Sequence, residues 1–339
     1  MKAIVYTQAG LPIDDPLSLH EADLPKPTPG PRDLLVKIQA ISVNPVDSKL
    51  RQAVQPTGPR VLGWDAVGTI ESVGAAVTRF SPGDEIWYAG DITRQGSYAE
   101  YGIVDERIAS KRPASISMLQ AAALPLTGIT AWELLFDRLR IGEGAGQGQY
   151  LLVVGAGGGV GSILVQLARR LTGLTVIGTA SRPDTQAWVR ELGAHHVIDH
   201  GKPLQAQLNE VGIGQIDHVV SLSHTDTYYT QLVELLKPEG QLALIDDPAT
   251  LDAMPLKRKS ISLHWEFMFT RSMYQTRSMD KQHALLERLA GLVDTGQLKT
   301  TLGKHFGQIG AGNLRCAHEA IESGKTVGKI VLDGFHSST

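Results

Sequence analysis

Two rhythms of apolar and polar positions divide the chain. From residue 1 to about 125 the apolar runs are short and bounded by Gly, Pro or Asp, as in LLVKIQAIS, VGTIESVG and DEIWYAG. That is the pattern of a β-rich domain. The Pro- and Gly-dense PKPTPGP at 25–31 marks a loop between early strands. Beyond about 125, short β-branched strands alternate with helical stretches: LLVV (151–154), TVIGT (175–179), HVI (196–198), HVV (218–220) and LALI (242–245). After the first of these, Val160, Ile163, Leu164, Leu167, Ala168 and Leu171 recur at helical spacing and form one apolar face. A second helix starts at Ser181-Arg182-Pro183 and ends at Gly193. Strands separated by helices predict parallel βαβ units in a doubly wound sheet, an α/β fold. The tail, 278–339, reads as a helix over 280–293, a strand, a helix over about 311–322 and a final strand KIVL. Periodicity leaves open whether it extends the sheet domain or returns to the first one.

Between the strand LLVV and its helix lies GAGGGVG, residues 155–161. A diphosphate there needs backbone N–H groups close by with no Cβ in the way, and gains from the positive end of the helix. Gly157, Gly158 and Gly159 allow the close approach, Val160 opens the helix, and Gly161 lets the helix pack tightly on the sheet. Strand, loop and helix in this order predict dinucleotide binding. An NAD site usually carries an acid at the end of the second strand, about 20 residues further on. Here that stretch is GTASRP (178–183), without an acid before Asp184. Ser181 and Arg182 offer a hydroxyl and a cation suited to a 2′-phosphate, which favours NADP(H). The plainer alternative makes Ser181 an N-cap and Arg182 a solvated surface residue.

Composition removes several functions. A net charge of −3 gives no electrostatic reason to expect nucleic acid or anionic membrane as partner. The single cysteine, Cys316, excludes an intrachain disulfide and a four-cysteine zinc site. The N-terminal MKAIVYTQAG reads as a first strand rather than a leader. The apolar stretch 150–168 has nearly the length of a membrane span, but five glycines divide it into strand, turn and helix. A cytoplasmic location is the expectation.

At this point the chain resembles a known family. MKAIVYTQAG, PGPRDLLVKIQAISVNPVDSK, SPGDEIWYA, GSYAEY, LPLTGITAWELL, GAGGGVGSILVQLA and GKTVGKIVL follow one another as in the medium-chain dehydrogenase/reductase superfamily. The likeness is greatest to its zeta-crystallin-like quinone oxidoreductase branch, in the group called zinc-type alcohol dehydrogenase-like. The resemblance implies a discontinuous GroES-like β-barrel catalytic domain (1–125 and 271–339), a Rossmann domain (126–270), and a homodimer formed through the edge of the Rossmann sheet. In zinc-dependent relatives a cysteine precedes the strand-end Asp by three positions and a Gly-His-Glu motif follows. Here those places read Asn44 in VNPVD and Gly63-Trp64-Asp65. Amide and indole are not useful zinc ligands, and Asp65 alone cannot make a site, so no metal is expected.

Without a Lewis acid, alcohol oxidation loses its usual alkoxide stabilisation. Hydride delivery to an electrophilic acceptor, a quinone or an α,β-unsaturated carbonyl, needs no such help. The resemblance places Asn44 and Thr127 near the nicotinamide or its ribose, and Ser221, Leu222 and Ile245 along the cofactor cleft. Lys325 and Lys329 of GKTVGK are further cofactor candidates, although surface lysine is the default for at least one of them. His200 matches an aromatic position that contacts the nucleotide, on adenine or the 2′-phosphate, with a plain surface histidine as the alternative. Lys49 stands where several quinone reductases carry a tyrosine, so it either orients a carbonyl or donates a proton, or else faces solvent or pairs with Asp47. That departure keeps an enal or enoyl reductase with little quinone activity in view, and the crystallin relatives do the same for a non-catalytic NADPH-binding protein. Trp64, Trp265 and Phe267 are the expected apolar walls of a substrate pocket, with Tyr274 nearby in the aromatic run 263–276. The alternative for such large aromatics is core or interface.

Overall fold

The strand Asp33–Val43 organises the first part of the molecule (a computed structural model describing residues 1–335). Its sequence, DLLVKIQAISV, is buried at eight of its eleven positions. It pairs antiparallel with Ala66–Val73, with Tyr101–Asp105 and, at its C-terminal end, with Lys329–Phe335. Seven strands share this sheet path or branch from it, ordered from Leu302–Ile309 through Lys329–Phe335, Asp33–Val43, Ala66–Val73 and Glu85–Tyr88 to Ala109–Lys111. A second sheet joins Lys2–Tyr6 to His20–Asp23 and Arg60–Val61. The tail that periodicity left open thus belongs here. The compact unit comprises Met1–Ile129 and the chain from Phe269 onward.

The second unit, Thr130–Met268, holds a six-stranded parallel sheet. Its order runs His196–Ile198, Thr175–Thr179, Tyr150–Val154, Ile216–Ser221, Leu236–Leu244 and Ser262–Trp265. In chain order this is 3-2-1-4-5-6, the doubly wound dinucleotide-binding arrangement. Leu152, Val154, Ile177, Val219, Leu232, Leu242 and Leu244 form its core, where the β-branched and leucine runs meet helix faces. The sixth strand, Ser262–Trp265, lies inside the aromatic run and closes one edge of the sheet. Among the described residues no helix is long and apolar enough to cross a membrane.

Candidate active site

Sheet register brings together three polar residues that are far apart in sequence. Val43 pairs with Ile330, which sets Lys329 beside Asn44 just beyond the strand end. Ile41 pairs with Ala66, which sets Asp65 beside Ser42. All four side chains are buried. Asp65 Oδ2 accepts from Ser42 Oγ at 2.6 Å, from Asn44 Nδ2 at 2.8 Å and from Lys329 Nζ at 3.2 Å. Its Oδ1 accepts the backbone N–H of Leu126 at 2.7 Å. Leu126 follows the proline that opens the helix Pro125–Trp132, so the carboxylate also sits at a helix N-terminus, where negative charge is favoured. The Lys329 ammonium donates to Val43 O at 2.9 Å and to Asn44 Oδ1 as well as to Asp65. Thr127, one residue beyond Leu126, is buried, with its hydroxyl turned back on Ala123 O and Leu124 O.

A second buried chain begins on the next helix, Pro45–Ala53. Asp47 Oδ2 accepts the Asn44 N–H at 2.8 Å and the Tyr98 hydroxyl at 2.7 Å. Tyr98 also meets His318 Nε2 at 3.2 Å, and His318 Nδ1 meets Ser48 Oγ at 3.3 Å. With Asp47 ionised the Tyr98 proton goes to the carboxylate, so the neutral His318 donates from Nε2 and accepts at Nδ1. Burial pushes the Asp47 carboxyl up to about 7, against the hydrogen bonds from Tyr98 and Asn44. Burial likewise pushes the His318 imidazole down to about 3, with Arg51 adding to the effect. Neither Tyr98 nor His318 was expected from sequence.

In the second unit the loop 155–158 leaves the first strand and the helix Gly159–Leu171 follows, with Gly158 as its N-cap and Val160 half-buried in its first turn. A Cβ on Gly161 would lie 2.5 Å from Gly155 O and 2.6 Å from the Ala156 Cα, so helix and loop backbones touch only because this residue is glycine. A Cβ on Gly157 would meet Thr185 Cγ2 at 2.0 Å. Part of this glycine's job is therefore packing against the next helix, beyond the close ligand approach expected of it. Gly158 has room, its nearest neighbour being Gly155 O at 3.6 Å from the added Cβ. The loop remains a fit cradle for a diphosphate, with backbone donors at a helix start.

Thr179, at the end of the second strand, ties the loop to the next side chains. Its Oγ1 accepts the Gly155 N–H at 3.1 Å and lies 3.2 Å from His200 Nδ1. His200 is half-buried beside Tyr228, ring centroids 5.9 Å apart, and burial lowers its pKa below the ordinary histidine value. Ser181 is exposed, and the N-cap of the helix Pro183–Glu191 is Arg182, which corrects the N-cap alternative for Ser181. Arg182 Nη2 donates to Thr185 Oγ1 at 3.1 Å and its Nε lies 3.9 Å from Asp184. Ser221 is buried and its hydroxyl meets Thr225 Oγ1 at 2.7 Å. Thr225 in turn donates from N and Oγ1 to Asp246 at 2.8 and 2.6 Å. Leu222 and Ile245 are half-buried at the same strand ends, Leu222 N bonding Val154 O and Ile245 N bonding Ser221 O. Thr179, Thr225 and Asp246 escaped the sequence reading because each is an ordinary strand-end or helix-start residue.

The expectations for Trp64 and Lys329 need correction. Trp64 is only 2% exposed, its indole N–H donates to Asp91 O at 3.1 Å, and its ring meets Phe269 edge-on at 6.0 Å. It packs the core of the first unit rather than walling an open pocket. Trp265 and Phe267 are 50% and 47% exposed, at and just beyond the edge strand of the parallel sheet. Lys329 was expected on the cofactor and is found buried on Asn44 and Asp65, whereas Lys325 is exposed. Lys49 is exposed on its helix, while Asp47 beside it is buried.

The parallel 3-2-1-4-5-6 sheet with its glycine loop, joined to a barrel-type unit, defines a dinucleotide-dependent dehydrogenase or reductase. Residues 30–114 match the alcohol dehydrogenase GroES-like domain, and residues 192–332 match the zinc-binding dehydrogenase family. A zinc-type alcohol dehydrogenase-like protein of Staphylococcus aureus (strain MSSA476) is 42% identical over 94% of this chain and 98% of its own. A quinone oxidoreductase of Pongo abelii is 28% identical over 92% of each chain. Among solved structures, a provisionally assigned zinc-dependent alcohol dehydrogenase from Rhizobium etli CFN 42 superposes with a TM-score of 0.96. It is 50% identical, and 99% of each chain is covered. A mycobacterial protein solved with NADPH has a TM-score of 0.84 at 28% identity, covering 98% of this chain and 100% of its own. The chain belongs to the medium-chain dehydrogenase/reductase superfamily, in its quinone oxidoreductase-like branch.

The word zinc in these descriptions can be tested on the donors present. Asn44 offers an amide already held at both ends, Trp64 an indole N–H already donated, and Asp65 a carboxylate whose oxygens accept four hydrogen bonds. Among the described residues no group of three or more His, Cys, Asp or Glu could hold a metal ion. The residues at these positions do not fit zinc.

Proposed function

We propose that the protein is an NADPH-dependent, zinc-independent reductase acting on a quinone or an α,β-unsaturated carbonyl. The observation that carries this is the buried Lys329–Asn44–Asp65 cluster, where amide and ammonium stand in place of metal donors. The quinone oxidoreductase relative and the NADPH-bound neighbour support the acceptor and the cofactor. Gly157, Gly158, Gly159 and Val160 would hold the diphosphate. Ser181, Arg182 and His200 would hold the adenosine side with its 2′-phosphate, and Ser221, Leu222 and Ile245 the nicotinamide side. When bound, the nicotinamide supplies the hydride. Asn44 touches the acceptor in this scheme, and Lys49 orients it or returns the proton. We place the enzyme in the cytoplasm as a homodimer whose exposed Trp265 and Phe267, at the sheet edge, meet a second copy. A small apolar carbonyl or quinone is the partner, with no role for nucleic acid or membrane. The exposed cation Lys49 favours a second reading of the same chemistry, an enal or enoyl reductase with little quinone turnover.

An anaerobic panel of quinones, enones, enals and simple aldehydes with NADPH or NADH tests this. Oxidation of NADPH by one of the first three classes, unchanged by chelator, is the expected result. Loss of activity on metal removal would overturn it, and NADPH binding without turnover across the panel would point to the non-catalytic, crystallin-like role. Arg182→Ala should raise the KM for NADPH about tenfold, the value of one charge-assisted hydrogen bond, with that for NADH nearly unchanged. Equal effects on both would remove the case for the 2′-phosphate.

A further inference from the structure

The cation at the centre of the buried cluster is the chain's own. An ammonium has three hydrogens, and Lys329 directs them to three acceptors: Val43 O, Asn44 Oδ1 and Asp65 Oδ2. Asp65 balances its charge, and each carboxylate oxygen is already engaged. A divalent ion entering here would have to displace the ammonium, and it would gain only the three oxygens the ammonium leaves, one carboxylate, one amide and one backbone carbonyl, with no thiolate or imidazole.

The same contacts give the Asn44 amide a single orientation. Turned over, it would set its NH₂ against the ammonium and its C=O against the carboxylate. Held as it is, it accepts from a cation at Oδ1 and donates to an anion from Nδ2, and both bonds polarise the amide in the same sense. One of the two Nδ2 hydrogens is spent on Asp65.

We infer that Lys329 is the resident cation of this site and a positioning residue for Asn44: it excludes a metal ion and holds the amide so that its second N–H serves the acceptor oxygen as negative charge develops there. The kinetic half of this rests on the reductase reading above; the metal half does not. Lys329→Met alone leaves Asp65 buried without a counter-ion, so the informative variant is the neutral pair Asp65→Asn/Lys329→Met, with Lys329→Arg as the conservative control.

For the folded neutral pair the expected result is an NADPH Kd within about threefold of the wild type and a kcat lower by about 10- to 100-fold. Lys329→Arg should recover part of that loss. A folded neutral pair with unchanged kcat would reduce Lys329 to a structural residue and overturn the positioning role. In parallel, mass-spectrometric metal analysis of the purified wild-type protein should find zinc well below one per chain, before and after incubation with Zn²⁺ and desalting. Stoichiometric zinc that disappears in Asp65→Asn would overturn the exclusion. If the wild type turns over no acceptor, the reductase reading alone fails, and the zinc measurement still decides whether Lys329 fills the site.

Discussion

Asp65→Ala is expected to destabilise the first unit by about 3–5 kcal/mol, because it strands a buried ammonium without its counter-ion. Lys329 is 3% exposed and has no route to solvation without moving, while the same change takes the acceptor from Leu126 N, Ser42 Oγ and Asn44 Nδ2. Such a loss corresponds to roughly 10 °C in the unfolding midpoint of a unit of this size. Asp65→Asn should cost less, since an amide oxygen can still accept Leu126 N, but its NH₂ meets the ammonium. Calorimetry of the three proteins, with urea titrations followed by tryptophan fluorescence, measures the series. A Asp65→Ala protein within about 1 kcal/mol of the wild type would show that the cluster relaxes to let water reach Lys329.

The sheet of the second unit was legible because its strands are uninterrupted β-branched or leucine runs. LLVV, TVIGT and HVI lie inside the observed Tyr150–Val154, Thr175–Thr179 and His196–Ile198. The strand read from LALI begins earlier, at Leu236, since Pro238, Glu239 and Gly240 look like a turn in sequence. Glu239 does take positive φ, yet the pairing resumes across an irregularity opposite Ile216–His218. Ser262–Trp265 was missed as a strand because SLHW has no alternation of its own; its hydrogen bonds to Gln241–Leu244 make it one.

The site divides in the same way. The glycine loop announces itself locally, since backbone approach demands glycine wherever it occurs. Asn44 and Lys329 were named by resemblance, but their meeting depends on pairing between residues nearly three hundred positions apart, which no local pattern encodes. Asp65 was set aside because one carboxylate cannot hold zinc; that is sound for a metal and silent about a lysine. In sequence His318 is one more polar residue on the helix Ala311–Glu322. Only packing of that helix against Pro45–Ala53 turns it toward Ser48 and Tyr98.

That packing predicts an unusual pH response. Burial raises the folded-state pKa of Asp47 from 3.8 to about 7, so the folded state holds a proton the unfolded chain has lost. The stability linked to Asp47 is present below pH 3.8 and falls as pH rises toward 7, by about 4 kcal/mol at 1.36 kcal/mol per unit. His318 has the opposite sign. Its pKa falls from 6.5 to about 3, so its contribution is present above pH 6.5 and falls as pH drops toward 3, by about 5 kcal/mol. Between about pH 4 and 6.5 the two slopes cancel, and this cluster leaves the wild-type stability flat there. Single substitutions should uncover the slopes. In Asp47→Asn, stability rises with pH by about 1.4 kcal/mol per unit across this window relative to the wild type; in His318→Gln it falls by a similar amount. Urea unfolding at half-unit pH steps reads both. Profiles for the two variants that run parallel to the wild type would mean that water or an ion solvates Asp47 and His318 in the folded protein, and that the buried chain from Ser48 to Asn44 is not closed.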